Sequence, residues 1–543
     1  MSLTMYRNGS VYSTAEPFAT AMLVDGDTVA WVGTEHAAAS LLDARMHVVD
    51  LAGTLITPGF VDSHVHVTET GLALESLDLS GARSIQQVLD LVASAAQTTA
   101  GIVLGHGWDD SNWVEKRPVS LTELDRATGG REVYLARVDV HSAVVSGALA
   151  LRCGLRELTG WVDSGLVTGV AHAAARDGAR RLSTAGLERI QRRALNYAAA
   201  QGYVALAEMA APHVGSPADL ASLAKLTAHD SELPLPEVLP YWGQAVANAQ
   251  EARDLLASLG TPVLGLAGDL NIDGSLGSHS AFLKEPYSDA PNTSGQVFLS
   301  AEQVADHFAA TSELGIAGGF HVIGDGAMDI AVEGLQRARA RVGIEKVRAA
   351  GHRLEHAEML DDKAMKILAH HAVTVSVQPA FDALWGGDTG MYAERLGKGR
   401  ASSMNPLARF YDAGVPICFG SDAPVTPLNP WASVRAALNH HTPSQRISAR
   451  AAFIAHTRAG WRATAGSDPM LGQLVPGAPA SFAVWEVEAL MVQVADERVA
   501  SWSTDPRARI PLLPALDTGI DPRCLQTVHY GRELYAAPDF TRD

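Results

Sequence analysis

The sequence predicts an α/β fold: a parallel sheet built from repeated β–α units, joined by a small all-β domain that both termini supply. Three observations carry this. The middle of the chain alternates helix-type and strand-type patterns. Short strands punctuated by turn residues occupy both ends. Polar residues of metal-ligand type recur where the middle strands finish, the end at which barrel enzymes assemble their sites.

Taken in order, residues 1–56 read as the short strands Met5–Arg7, Ala19–Val24, Val29–Val32 and His47–Asp50, with hairpin signals at Asn8-Gly9 and Asp25-Gly26. The pattern returns near the other end in Ala480–Val487, Leu490–Val494 and Thr527–Tyr530. Each terminal piece alone is too small to bury a core, so the two are expected to pair. Between them, candidate strands are Tyr203–Ala207, Ile316–His321, Arg353–His356, Val373–Val377 and Pro416–Gly420. Helical patterns cover Leu187–Gln201, Ala301–Leu314, Ala327–Arg341 and Asp361–His370. Residues of about 70–200 fit this rhythm poorly, with Gly105–Arg117 rich in Gly, Trp and Asp and a strand-like Val133–Val138. They read as an insertion after the first strand. The expected organisation is therefore a small β domain from 1–57 plus 468–543 and a central domain over 58–467.

Composition bounds the function. The chain has 543 residues, 47% of them hydrophobic, which is ample for more than one core. The net charge of −18 is spread along the chain and argues against nucleic acid, which calls for basic patches. Cys153, Cys418 and Cys524 form no C-x-x-C, so neither a disulfide framework nor a cysteine-based zinc site is expected. The start Met1-Ser-Leu-Thr-Met-Tyr lacks a basic region followed by an apolar run, and no stretch approaches the ~20 apolar residues of a membrane helix. A cytoplasmic protein without membrane partners is expected, and a homodimer is a reasonable assembly.

The chemistry begins at Thr57-Pro-Gly-Phe-Val-Asp-Ser-His64-Val-His66. Side chains i and i+2 of a strand share a face, so His64 and His66 project together as two imidazoles. Three further strand ends carry His321 (in Phe320-His-Val-Ile-Gly-Asp325), His356 (in Arg353-Leu-Glu-His356) and Asp422 (in Phe419-Gly-Ser-Asp-Ala-Pro424). Each alone reads equally well as a core histidine or a helix cap. Together, four histidines and one aspartate at four strand ends make a convergent cage of the kind a divalent ion needs.

These segments, with Asp273-Gly-Ser-Leu-Gly-Ser278, Pro286-Tyr287 and Gly472-Gln-Leu-Val-Pro-Gly477, resemble the metal-dependent amidohydrolase superfamily, specifically its amidohydrolase-3 branch of N-substituted formamide deformylase-like enzymes. The resemblance spans residues 58 to 477. It implies a (β/α)8 TIM-type barrel, a small β-sandwich formed by both termini and an insertion after barrel strand 1. It also implies ligation of a divalent metal by His64, His66, His321 and His356, with Asp422 as ligand and proton shuttle. Zn is the first expectation, as one ion with room for a second, and Fe, Mn and Ni suit the same donors. A bound ion lowers the pKa of its water toward neutrality. Asp422 would then move the proton to the leaving amine, and the metal with a neighbouring histidine such as His356 would stabilise the carbonyl oxyanion.

One departure stands out. Many members place a carboxylated lysine, bridging two metals, four residues before Asp273-Gly-Ser; here the residue is Asp269. Glu208, after Tyr203–Ala207, is a second carboxylate that could fill that role. On the substrate side the branch often shows a Gly-Trp-Asp element, matched here by Trp108 and Asp109 with Trp113 nearby, and His141 occupies a similar landmark. His279, Tyr287 and Trp385 are further lining candidates, and Arg353 and Glu355 are supports of His356. The expected activity is hydrolysis of a non-peptide C–N bond in a small-molecule amide. An aminohydrolase acting on a ring amidine would use the same cage, and a non-catalytic relative that kept the barrel would be exposed by failure to bind metal.

Overall fold

A computed structural model of the chain describes residues 3–99, 101–180, 182–228, 233–464, 468–493, 502–503, 511–517 and 519–540. Its centre is a series of parallel strands: β1 (Phe60–Val65), β2 (Tyr203–Ala210), β3 (Glu237–Trp242), β4 (Gly265–Leu266), β5 (Ala317–Val322), β6 (Arg353–His356), β7 (Thr374–Val377) and β8 (Ile417–Phe419). β1, β2, β5 and β6 are buried along their whole length. β2 accordingly reads as a near-continuous apolar run rather than an alternating one, as strands covered on both faces do, whereas the polar side chains of β6 are buried with partners.

The strands pair in sequence order. Phe60 lies opposite Tyr203, Ala205 opposite Glu237, Gly265 opposite Ala317 and Val322 opposite His356. β7 then follows β6 and β8 follows β7. The Leu264 N–H donates to the Pro240 carbonyl (2.8 Å), joining β3 to the start of β4. Val65 bridges Ala423, and the Asp422 N–H donates to the His64 carbonyl (2.8 Å), so the exit of β8 runs alongside β1. The architecture is a TIM-like barrel with an extra domain. Helices follow their strands with ordinary signals. Ala301–Leu314 starts at a Ser300/Gln303 capping box and stops at Gly315 with φ 68°, and Asp325–Val342 packs beside it.

Two sheets flank the barrel. One contains Leu3–Arg7, Ala21–Asp25, Thr28–Gly33 and His47–Asp50. The other contains Ser10–Val11, Leu55–Pro58, Phe482–Glu486, Arg523–His529 and Arg532–Ala536, so both termini build it. Val24, Val32, Ile56, Phe482, Val484 and Leu525 share one apolar cluster between them. Asp25-Gly26 is a hairpin, with Asp25 opposite Thr28. Asn8-Gly9 is not. Asn8 takes φ 61° and hands the chain from the first sheet to the second, where Ser10 pairs in parallel with Leu55. The last residue of the expected strand Leu490–Val494 lies outside the described residues.

Between β1 and β2 the chain forms a separate five-stranded sheet: Leu77–Asp78, Val103–Trp108, Val133–Arg137, Ser142–Val145 and Leu166–Thr168. Val88, Val92, Trp108, Trp113, Leu124 and Leu135 fill its own core. It is narrower than the span of about 70–200 read from sequence, because Thr184–Ala200 packs on the barrel through Ala194, Leu195 and Ala198.

Candidate metal centre

Every residue of the expected cage sits at the C-terminal end of a barrel strand. His64 lies within β1 and His66 just past it, Asp269 follows β4, His321 is in β5, His356 ends β6 and Asp422 follows β8. His356 and Asp422 adopt φ 69° and 56°, a left-handed conformation that side chains other than glycine seldom take. Both turns aim side chains back over the barrel mouth.

The polar atoms converge. Asp422 Oδ1 is 3.3 Å from Nε2 of both His64 and His66. Asp269 Oδ2 is 3.2 Å from His66 Nε2, and Asp269 Oδ1 is 3.5 Å from His64 Nε2. His64, His356 and Asp422 form one group whose ligand atoms lie within 4.8 Å of one another, and His64, His66 and Asp269 form another. The His321 ring lies 4.5 Å from that of His356 and 5.6 Å from that of His141, measured between centroids. His64 Nε2, Asp269 Oδ1 and His321 Nδ1 are buried without a hydrogen-bond partner. Buried polar atoms normally have partners, so these orphaned atoms, from imidazole and carboxylate, fit a divalent metal.

The surrounding residues hold the donors in place. His64 Nδ1 bonds Glu355 Oε2 (2.8 Å), and Arg353 grips the same carboxylate at 2.5 and 3.0 Å. Arg353 also donates to the Ser63 carbonyl (2.6 Å) and lies 4.7 Å from the Tyr241 ring centroid. His356 Nδ1 bonds Gln378 Oε1 at 2.8 Å, just past β7. Such partners fix the ring tautomer and leave the other nitrogen free to face a metal. Asp62 Oδ1 accepts from the backbone N–H of His64 (3.1 Å) and of Ser421 (2.9 Å), tying the first and last strand ends together.

Electrostatics favour a bound cation. Burial opposes charging of His64, yet Asp422 and Glu355 outweigh it and lift its pKa to about 10. Burial acts likewise on His66, and Asp269 with Asp422 push it well above its usual value. The same imidazoles overcome burial at Asp269 and Asp422 and hold both well below the ordinary carboxylate range. Burial, then His321 and His64, push His356 down to about 3. Without a metal, protons balance the two carboxylates; a divalent ion competes with them, so metal affinity should weaken as pH falls.

The remaining candidates separate. Glu208 is buried within β2, with Oε2 accepting from the Val67 N–H (2.7 Å), and burial pushes its pKa up to about 7. It lies outside both ligand groups. Trp108 and Trp113, expected on the substrate side, sit in the insertion's core, where their ring N–H groups donate to the carbonyls of Leu135 (2.8 Å) and Ala82 (3.1 Å), and neither is among the residues lining the cavity beside the cage. Asp109 bonds Arg137 at 3.0 Å. His279 pairs with Asp289 (3.0 Å), away from the cavity beside the cage. His141 and Trp385 do line that cavity.

Arg137, Asp139, Glu358, Phe381, Met391, Tyr392 and Val425 also line the cavity and escaped the sequence reading. Gln378 escaped too, although the strand-end rule that found His356 applies to it equally. The Asp273-Gly-Ser segment acts on backbone. Asp273 accepts from the N–H groups of Phe282 (2.8 Å), Ile323 (3.0 Å) and Gly324 (2.8 Å), while Ser275 and Ser278 donate to Asp139 at 2.9 and 2.7 Å.

Barrel and donor set together define a metal-dependent hydrolase. The comparison with known proteins narrows this: the chain matches the Amidohydrolase family model (Amidohydro_3) over residues 47–535 and belongs to that family. It is 28% identical over 510 residues to Protein LONG AFTER FAR-RED 3 of Arabidopsis thaliana, covering 88% of this chain and 86% of that one. It is 24% identical over 442 residues to the N-substituted formamide deformylase of Arthrobacter pascens, covering 77% and 80%. Among solved structures it resembles an uncharacterized metal-dependent hydrolase from Pyrococcus furiosus, with a TM-score of 0.68, 25% identity and coverage of 89% and 98%.

Proposed function

We propose that this protein hydrolyses a non-peptide C–N bond of a small molecule, in a formamide-like or other amide, using Zn or a similar divalent ion. The observation that carries the reading is the cage itself: buried, unpartnered imidazole and carboxylate atoms converging at the barrel mouth and opening onto a cavity. The name of the Arthrobacter relative supports the bond type. A fully closed eight-strand barrel and a β-sandwich made by the flanking sheets belong to the same reading, as does a domain boundary near residues 57 and 468.

In this reading His64, His66, His321, His356, Asp269 and Asp422 hold the metal. When bound, a divalent ion supplies Lewis acidity and makes a water molecule acidic enough to deprotonate near neutrality. Asp422, on the cavity wall and 3.3 Å from two imidazoles, takes the proton of the attacking water and gives it to the leaving nitrogen. The water oxygen joins the carbonyl carbon as the C–N bond breaks, so a carboxylic acid and an amine leave. Burial keeps His141 neutral, and its N–H can hydrogen-bond the carbonyl oxygen as charge develops there. Ile323, Phe381, Trp385 and Val425 give the apolar walls that orient the substrate and exclude water.

The test is metal content per chain by elemental analysis, paired with a screen of N-substituted formamides and small amides scored separately for amine and ammonia release. About one or two ions per chain with amine release is expected. Ammonia release alone would replace the reading by deamination. A protein that takes up no metal on reconstitution would refute it.

A further inference from the structure

The cavity wall carries two charged side chains besides the cage carboxylates and Asp139, and they are treated very differently. Arg137 is answered three times, by Asp139 (2.9 Å), Asp109 (3.0 Å) and Asp110 (3.3 Å). Glu358 is answered by nothing of opposite charge. It is 3% exposed, yet among the described residues no lysine, arginine or histidine nitrogen lies within 4.0 Å of its carboxylate. Its Oε2 has no hydrogen-bond partner. A buried carboxylate costs several kcal/mol unless it is paired and hydrogen-bonded; burial pushes the pKa of Glu358 up to about 7, so either a proton or a cation supplied from outside the chain can relieve that cost.

Its neighbours repeat the pattern. The Tyr392 hydroxyl faces both Glu358 and Asn405. Neither Tyr392 Oη nor Asn405 Nδ2 closes a well-formed hydrogen bond. The backbone holds the trio in place, since the Asn405 N–H donates to the Glu358 carbonyl (3.0 Å). Around it the wall is apolar and aromatic, with Phe381 and Trp385 at 4.9 Å between centroids and Trp385 and Tyr392 at 6.3 Å. A buried carboxylate and hydroxyl without full partners, beside an aromatic wall, can hold a cation through charge-assisted hydrogen bonds and ring faces together.

We infer that Glu358, with the Tyr392 hydroxyl beside it, forms a subsite for the protonated amine of an aromatic or similarly apolar substrate. The subsite rests on the proposed amide hydrolysis for its biological meaning: the substrate class becomes amides that carry a second, cationic nitrogen away from the bond that is cut. Its existence is a matter of binding and is tested as such.

The probes are 2-phenylethylammonium and 2-phenylethanol, similar in shape and different in charge, titrated calorimetrically into the metal-loaded protein at neutral pH. The ammonium is expected to bind about ten- to a hundredfold more tightly, the range of a charge-assisted hydrogen bond. Glu358→Gln should abolish that preference while leaving the affinity for the alcohol little changed. Tyr392→Phe, which keeps the carboxylate, should retain most of it. Equal binding of the two probes by the unmodified protein would overturn the inference, whatever the variants do. A preference surviving in Glu358→Gln would overturn it as well, assigning the cation to Asp422 or Asp269. Ammonium selectivity in a protein that cleaves no amide would refute the proposed activity and leave the subsite standing; amide turnover without that selectivity would do the reverse.

Discussion

Replacing Glu355 by glutamine isolates the support beneath the cage. The carboxylate is wholly buried, with Arg353 on one side and His64 on the other. The amide keeps the shape and removes the charge. Arg353, 1% exposed, then loses its only charged partner among the described residues, and leaving a buried ion unpaired costs about 3–5 kcal/mol. The proton equilibrium gives a similar size. Burial opposes ionisation, but Arg353 and then His64 hold Glu355 at about 2 against its usual 4.5, worth about 3 kcal/mol. The folded pKa is depressed, so this stability is present above about pH 4.5 and disappears as pH falls toward 2. Metal affinity should fall about 10- to 100-fold as well, because His64 loses the acceptor that orients its ring. Urea unfolding with and without acid, together with metal retention against graded chelator, measures both effects. Arg353→Met/Glu355→Leu should be less destabilised than Glu355→Gln, because no charge is left stranded. A Glu355→Gln protein within about 1 kcal/mol of the parent, holding metal equally well, would refute the reasoning.

Two further changes separate roles within the cage. Asp422→Asn should keep most of the metal while kcat falls about 10²- to 10⁴-fold, the usual worth of a positioned acid–base group; near-normal turnover in steady-state kinetics would remove it as proton carrier. Asp269→Ala should lower metal stoichiometry or activity if Asp269 stands where relatives carry a bridging lysine, read by elemental analysis beside a rate assay. Unchanged values in both would return the role to Glu208, or to a site without a bridging carboxylate.

Much of the fold was legible because buried parallel strands announce themselves as apolar runs. The helix Ala301–Leu314 was read to the residue, and so was the strand Arg353–His356, although three of its four residues are polar. β3 escaped because Pro240 sits inside it, and proline ordinarily argues against a central strand; here Pro240 still serves the ladder through its carbonyl. β4 escaped because two residues carry no periodicity. Its Gly265 is there for space, since a Cβ would come within 2.3 Å of the Ala317 carbonyl oxygen. The cage was legible because its donors share one rule, a polar residue ending an apolar strand. Most of the cavity wall was not. Glu358, Phe381 and Tyr392 come from segments whose meeting depends on loop paths, and Trp108 and Trp113, read as substrate-side candidates, fill a core that only the insertion's pairing reveals.

The second flanking sheet has a consequence for biosynthesis. Leu55–Pro58 must pair with Phe482–Glu486, made more than 400 residues later. At ordinary translation rates of about 5–20 residues per second, an apolar strand that leaves the ribosome early waits roughly 20–80 s for its partner. During that interval Leu55 and Ile56, both fully covered in the finished protein, lie along an open strand edge. Leu55–Pro58 is thus made long before the strand that covers it, which gives chaperones an apolar edge to cover during synthesis.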